Sequence, residues 1–242
     1  MSDPIPYARP APGTQPPLDS PAYRSTQLRA PIHALIRAPH TFTEATSPCL
    51  SPAHYPVRAD MSVARGQAAM GERIIVAGRV LDEACRPVAN SMVEVWQANA
   101  AGRYHHVRDD HDAPLDPNFE GHARVFTDAE GHYRFTTIRP GAYPWRNHHN
   151  AWRPTHIHFG LFGVGYAQRM ITQMYFPADP LLPHDPIFNT TADSAARERL
   201  IAQFDLDVTE PEWALGYRFD ITLRGPAATP FEDPSAEEGE HA

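Results

Sequence analysis

Between Gly71 and Arg224 apolar side chains recur at every second position, in short runs separated by Gly, Pro and Asp. Successive side chains of a strand point to opposite faces, so each run reads as a strand with one face for a core. Ile74, Val76 and Val80 alternate with Ile75, Ala77 and Arg79. Val88 to Ala98 continues the pattern, with Val93 and Val95 opposite Met92, Glu94 and Trp96. Ala123 to Thr127 is a further run, and in the next Tyr133, Phe135 and Thr137 alternate with Arg134 and Thr136. Thr155 to Phe159, Arg169 to Phe176 and Tyr217 to Leu223 complete the set. The breaks at Glu83-Ala84-Cys85-Arg86-Pro87, Asp128-Ala129-Glu130-Gly131 and Arg139-Pro140-Gly141 carry turn chemistry. The expected fold is all-β, an antiparallel β-sandwich. One short helix is expected near the C-terminus: Asp193 can cap a segment to about Phe204 whose Leu200, Ile201 and Phe204 form a stripe.

The flanks are different. Twenty-six prolines among 242 residues are roughly twice the usual share and concentrate before Gly71 and in loops. Residues 1–70 are therefore expected to be a long irregular arm, partly extended, packing on a partner subunit. A short helical possibility, Thr26 to Arg37, is broken by Pro31. A chain that spends so many residues outside packed elements commonly lays them on another surface. Residues 71–225 form the expected sandwich, and 226–242 an acidic tail.

Two cysteines, Cys49 and Cys85, make no disulfide framework and match no zinc spacing. No apolar run reaches the ~18 residues of a membrane span, and the N-terminus lacks a signal pattern, so a cytoplasmic protein is expected. A net charge of −8 argues against a nucleic-acid partner, which calls for a basic footprint.

Within Gly141–Gly160, Thr155, Ile157 and Phe159 fall on one face of a strand, and His156 and His158 on the other. Two imidazoles at the strand period can give one metal two neutral nitrogen ligands. With 14 histidines in the chain, any single one has a low prior as a ligand, and the pairs His105-His106 and His148-His149 diverge on a strand. Two ligands do not complete a site. Asp109, Asp110, Asp112 and Asp116, in the polar loop His105 to Asn118, could supply carboxylates for ferrous iron. A further His or Cys would suit zinc. Tyr104 and Tyr143 could supply phenolates to Fe(III), since a phenol ionises at neutral pH only beside a strong Lewis acid. From spacing alone, a core or interface aromatic with a hydrogen-bonded hydroxyl is the commoner role for either tyrosine.

Four segments go further. They are Gly71-Glu72-Arg73-Ile74-Ile75-Val76-Ala77-Gly78-Arg79-Val80, Val93-Glu94-Val95-Trp96-Gln97-Ala98-Asn99, Pro114-Leu115-Asp116-Pro117-Asn118-Phe119, and Tyr143-Pro144-Trp145-Arg146-Asn147 through Trp152-Arg153-Pro154-Thr155-His156-Ile157-His158-Phe159. They resemble the intradiol ring-cleavage dioxygenases, closely over residues 71–225 and more loosely from Ala22 to Pro48. The resemblance implies a mononuclear Fe(III) held by Tyr104, Tyr143, His156 and His158. It places a functional arginine at Arg153, a glutamine at Gln173 and a pocket aromatic at Trp145. Tyr23 and Arg29 match family residues near a substrate carboxylate, and Tyr143 matches a residue that acts as a base on leaving the metal.

The implied reaction is cleavage of protocatechuate (3,4-dihydroxybenzoate) by O2 to 3-carboxy-cis,cis-muconate. The implied partner is a homologous alpha subunit, in a higher-order hetero-oligomer. A relative acting on catechol or hydroxyquinol, a non-catalytic sandwich subunit, and a zinc or ferrous enzyme built on the Asp-rich loop are the competing readings.

Overall fold

The structure is a computed structural model describing residues 10–22, 24, 26–33, 50–149, 152–163 and 169–231. In chain order the elements are α1 (Thr26–Arg29), β1 (Val63–Ala64), β2 (Gln67–Ala68), β3 (Arg73–Leu81), β4 (Met92–Trp96), β5 (His122–Phe126), β6 (His132–Ile138), β7 (Tyr143–Pro144), β8 (Trp152–Arg153), β9 (His156–Phe162) and β10 (Arg169–Tyr175). After these come a 3-10 turn (Leu182–His184), α2 (Pro186–Thr190), α3 (Ser194–Glu198), β11 (Gln203–Phe204), β12 (Leu215–Arg218) and β13 (Ile221–Thr222).

Two sheets carry the fold. One has the order β10-β9-β4-β5 and is antiparallel throughout. The other is centred on β3, which pairs antiparallel with β6 on one side and parallel with β12 and then β13 on the other. These two parallel pairings are the exception in an otherwise antiparallel sandwich. The inward residues anticipated from the alternation meet between the sheets. Val93, Val95, Ile157, Phe159, Leu161 and Met174 from one sheet pack with Ile74, Val76, Val80, Phe135, Phe219 and Ile221 from the other. Gly78 marks a close approach within the second sheet: a Cβ there would sit 1.9 Å from the Phe219 carbonyl oxygen, which also accepts from the buried Tyr133 hydroxyl.

Several boundaries differ from the sequence reading. The Val88–Ala98 run is a strand only over Met92–Trp96, because Val88 bonds back to Val80 across the preceding turn and the chain turns again after Trp96. The closing run is broken at Phe219–Asp220, where Asp220 Oδ1 accepts from the Arg79 amide. The helix expected from Asp193 to about Phe204 stops at Glu198. Asp193 does cap it, accepting from the Ala195 amide at 2.8 Å. Beyond it the backbone of Leu200 to Ala202 instead hydrogen-bonds on both sides of Tyr175, and Phe204 is in a strand. The C-terminal part holds two short helices and a 3-10 turn rather than one helix. Of the expected Thr26–Arg37 segment, Thr26–Arg29 is helical, and the described residues 30–33 are not.

Candidate metal centre

Strand β9 divides its side chains between two environments. Ile157, Phe159 and Leu161 enter the sandwich core, so His156 and His158 project from the outer face of the sheet. On that face the register sets His158 opposite both Trp96 on β4 and Gln173 on β10, and His156 opposite Tyr175. The Trp96 ring lies parallel to His158 at 5.0 Å between centroids and fixes its plane. Both histidines are fully buried although they face away from the core, because irregular chain covers them.

That cover brings the two tyrosines. Tyr104 comes after a tight loop organised by Asn99, whose side-chain oxygen accepts from the amides of Ala101 and Arg103 at 2.9 and 3.0 Å. Gly102 in this loop has φ +78°, and a Cβ on it would lie 2.1 Å from the Ala142 carbonyl oxygen. Only glycine admits both the left-handed backbone and that approach. The two tyrosine-bearing segments are thereby pressed together, and the rings of Tyr104 and Tyr143 meet edge to face at 5.4 Å. Asp109 accepts from the Tyr104 amide at 2.7 Å and so anchors the start of the Asp-rich loop. Tyr143 is held on β7, which pairs with β8 so that Tyr143 is opposite Arg153.

Four donor atoms converge. Tyr143 Oη is 3.2 Å from His156 Nε2, His156 Nε2 is 3.2 Å from His158 Nε2, and His158 Nε2 is 3.2 Å from Tyr104 Oη. Ligands bonded to one ion at ~2.0–2.2 Å lie roughly 2.8–3.6 Å from one another, so the spacing suits a shared metal. The donor set fits as well. His156 Nδ1 donates to the Pro154 carbonyl at 2.6 Å, which leaves a lone pair on Nε2. Burial first, then the nearby Arg153 cation and His158, hold its pKa well below the ordinary imidazole range, so the ring is neutral and able to ligate. Two imidazole nitrogens with two phenol oxygens suit a hard, highly charged ion such as Fe(III).

Three of the four aspartates of the Asp-rich loop are engaged with other partners. Asp109 binds the amides of Tyr104 and His111, Asp116 binds those of Met70 and Asn118, and Asp110 pairs with Arg146 at the surface. Among the described residues no group of three or more His, Cys, Asp and Glu side chains gathers as a metal site. The side-chain oxygens that stand beside these histidines are the phenols of Tyr143 and Tyr104, each 3.2 Å from an imidazole nitrogen.

Behind the donors lies a buried polar cluster. Arg153 Nε donates to Asp185 Oδ1 at 2.9 Å, both side chains being wholly inaccessible. Its Nη2 donates to Gln173 Oε1 and, at 3.1 Å, to Tyr175 Oη. The guanidinium also lies over the Trp145 ring, 5.3 Å from its centroid. Trp145 is buried with Ala98 and Tyr143, and Tyr104 and Ile187 pack against that group. The structure thus gathers Tyr104, Tyr143, Trp145, Arg153, His156, His158 and Gln173 in one place. Tyr23 lies outside the described residues, as does the side chain of Arg29, which ends α1. The adjacent arm does reach this region: the Arg24 amide donates to the Asn147 carbonyl at 3.0 Å, and Thr26 lines a cavity with Gln173, Tyr175 and Ile187. Sequence reasoning gave no role to Asp185, Tyr175 or Asn99, and it read Asp109 as a possible metal carboxylate where the structure has it accepting from the Tyr104 and His111 amides. The available signal was Asp185-Pro186, an acidic N-cap before a proline at a helix start.

A family model described as "Dioxygenase" matches residues 45–225, and the chain belongs to that family, the intradiol ring-cleaving dioxygenases. A second model, described as "Protocatechuate 3,4-dioxygenase beta subunit N terminal", matches residues 7–41. The chain is 56% identical over 217 residues to the protocatechuate 3,4-dioxygenase beta chain of Burkholderia cepacia, covering 88% of this chain and 91% of that relative. It is 30% identical over 166 residues to the alpha chain from the same organism, covering 67% of this chain and 78% of that one. The solved 3-chlorocatechol 1,2-dioxygenase of Rhodococcus opacus 1CP aligns with a TM-score of 0.51 at 23% identity, over 77% of this chain and 70% of that one, which speaks to the fold alone.

Proposed function

We propose that this chain is the iron-bearing beta subunit of an enzyme that cleaves protocatechuate with O2 between its two hydroxyl-bearing carbons. The product is 3-carboxy-cis,cis-muconate, in the β-ketoadipate route of aromatic catabolism. Both oxygen atoms enter the product, so no external reductant is consumed. The observation that carries the reading is the set of four donor atoms at successive 3.2 Å separations. The match to the Burkholderia cepacia beta chain supports the choice of substrate.

Tyr104, Tyr143, His156 and His158 would hold Fe(III), which when bound supplies a Lewis acid able to chelate a catecholate and draw electron density from its ring. The remaining work belongs to the chain. Tyr143 Oη accepts a proton from one substrate hydroxyl. Arg153 presents a fixed cation toward negative charge that grows on the ring, and Gln173 orients a hydrogen bond beside it. A donor of this kind in a dry site is worth about 3 kcal/mol of barrier, or about a hundredfold in rate. Trp145 walls the pocket and shields the guanidinium from water. Tyr23 and Arg29 recognise the substrate carboxylate.

The relatives include both alpha and beta chains, and the partner is a homologous alpha subunit in a cytoplasmic hetero-oligomer, with the arm of residues 1–70 crossing the interface. Among the described residues no helix is long and apolar enough to cross a membrane. Oxygen uptake by chain co-expressed with its alpha partner tests the reading: protocatechuate should support turnover well above catechol. Preference for catechol would overturn the substrate assignment.

A further inference from the structure

We propose that Asp185 is the positioning residue of the site: its buried carboxylate fixes the direction of the Arg153 guanidinium and ties it to the helix that walls the pocket. This rests on the reading of Arg153 as the cation facing the reacting ring. Three elements meet at Asp185. Oδ1 accepts from Arg153 Nε at 2.9 Å, and Oδ2 lies 3.4 Å from Nη2, so the carboxylate addresses one edge of the planar fork. Oδ2 also stands 3.0 Å from Tyr175 Oη on β10 and accepts from the Phe188 amide at 3.1 Å, which caps α2. That helix carries Ile187, which packs against the group containing Tyr104, Tyr143 and Trp145.

The physical need is plain. A guanidinium with no exposed surface is tolerable only when paired and hydrogen-bonded, and removing its partner leaves a buried charge uncompensated. Asp185 meets that need from behind. The pairing also holds the guanidinium in one orientation, so that it is a fixed cation and not one free to rotate toward other acceptors. Gln173 and Tyr175, which both bond Nη2, complete the clamp from β10.

The test uses the enzyme co-expressed with its partner and five variants: Asp185→Asn, Arg153→Met, the double variant, and Tyr175→Phe alone and combined with Arg153→Met. Asp185→Asn should keep the iron content and visible absorption of the parent, leave KM near its parental value and lower kcat by about 10–100-fold. Added to Arg153→Met, it should cost no more than about a further twofold, because the two act as one unit. Unchanged kcat in Asp185→Asn beside an impaired Arg153→Met would overturn the inference while leaving the reading of Arg153 intact. Multiplying losses in the double variant would overturn it too, placing the effect elsewhere. A silent Arg153→Met would overturn the reading beneath it. Should Asp185→Asn fail to fold, Tyr175→Phe decides: a smaller kcat loss at full iron content, absent in the Arg153→Met background, supports the clamp, and unchanged kcat refutes it.

Discussion

Nδ1 of His156 donates to the carbonyl oxygen of Pro154 across 2.6 Å. A carbonyl only accepts, so the ring hydrogen is committed to Nδ1, and Nε2 faces His158 and Tyr143 with its lone pair. The preceding proline does two jobs here. It ends the β8 segment carrying Arg153, and its oxygen selects the tautomer of the histidine two residues on. Tautomer, ring plane and burial are thus set by the backbone before any ion arrives.

Removing His158 should empty the centre. His158→Ala loses a fully buried imidazole that stands 3.2 Å from both His156 Nε2 and Tyr104 Oη. The expected outcome is folded protein with iron far below the parent, measured by metal analysis against a melting curve. Full iron stoichiometry would exclude His158 as a ligand.

Tyr143→Phe separates ligation from proton transfer. The family resemblance implies that Tyr143 is the donor that can leave the metal in turnover, so its loss should leave iron bound with altered visible absorption. Rapid-mixing kinetics should show slow loss of the second catechol proton and turnover reduced by about tenfold or more. Parental substrate-binding kinetics would remove Tyr143 from the base role.

Gly102→Ala should damage the centre from a distance. The position needs φ +78°, and a methyl group would meet the Ala142 carbonyl at 2.1 Å. Strain of about 1–3 kcal/mol arises from the backbone alone, and the collision moves the strand that presents Tyr143. A lowered melting temperature together with weaker iron retention is expected. Ala at an exposed glycine such as Gly66, whose added Cβ meets nothing within 4 Å, should spare the iron.

The alkaline limit of stability should trace in part to Tyr133. Burial chiefly, with Asp220 nearby, raises its pKa well above the usual phenol value. The folded state therefore favours the neutral form. That contribution is fully present below the unfolded phenol pKa of ~10 and is lost as pH rises from there toward the folded value. Denaturant midpoints measured upward from about pH 10 should fall more steeply in the parent than in Tyr133→Phe. Equal slopes would deny it a role.

Strand β9 was legible because two demands coincide on it: Ile157 and Phe159 must face the core, so the intervening histidines must share the other face. Tyr104 and Tyr143 were not legible from pattern, since one lies in a loop shaped by Asn99 and the other on a two-residue strand, and their meeting depends on the close approach at Gly102. They emerged only through likeness to a family. Asp185 was invisible for a related reason. Its partners are the Arg153 side chain 32 residues away, the Tyr175 hydroxyl and the Phe188 backbone amide, and no periodicity encodes this set. The stripe of Leu200, Ile201 and Phe204 fits a helical period, yet the backbone there serves Tyr175 instead, so tertiary pairing overrode local propensity.

In the proposed centre two phenolates and two imidazoles of this chain hold one oxidised iron. The most direct measurement is the visible absorption of purified co-expressed enzyme, taken alongside iron per beta chain. One iron per chain is expected, with a wine-red colour from phenolate-to-iron charge transfer that Tyr104→Phe and Tyr143→Phe each change. A colourless preparation with full iron would contradict it.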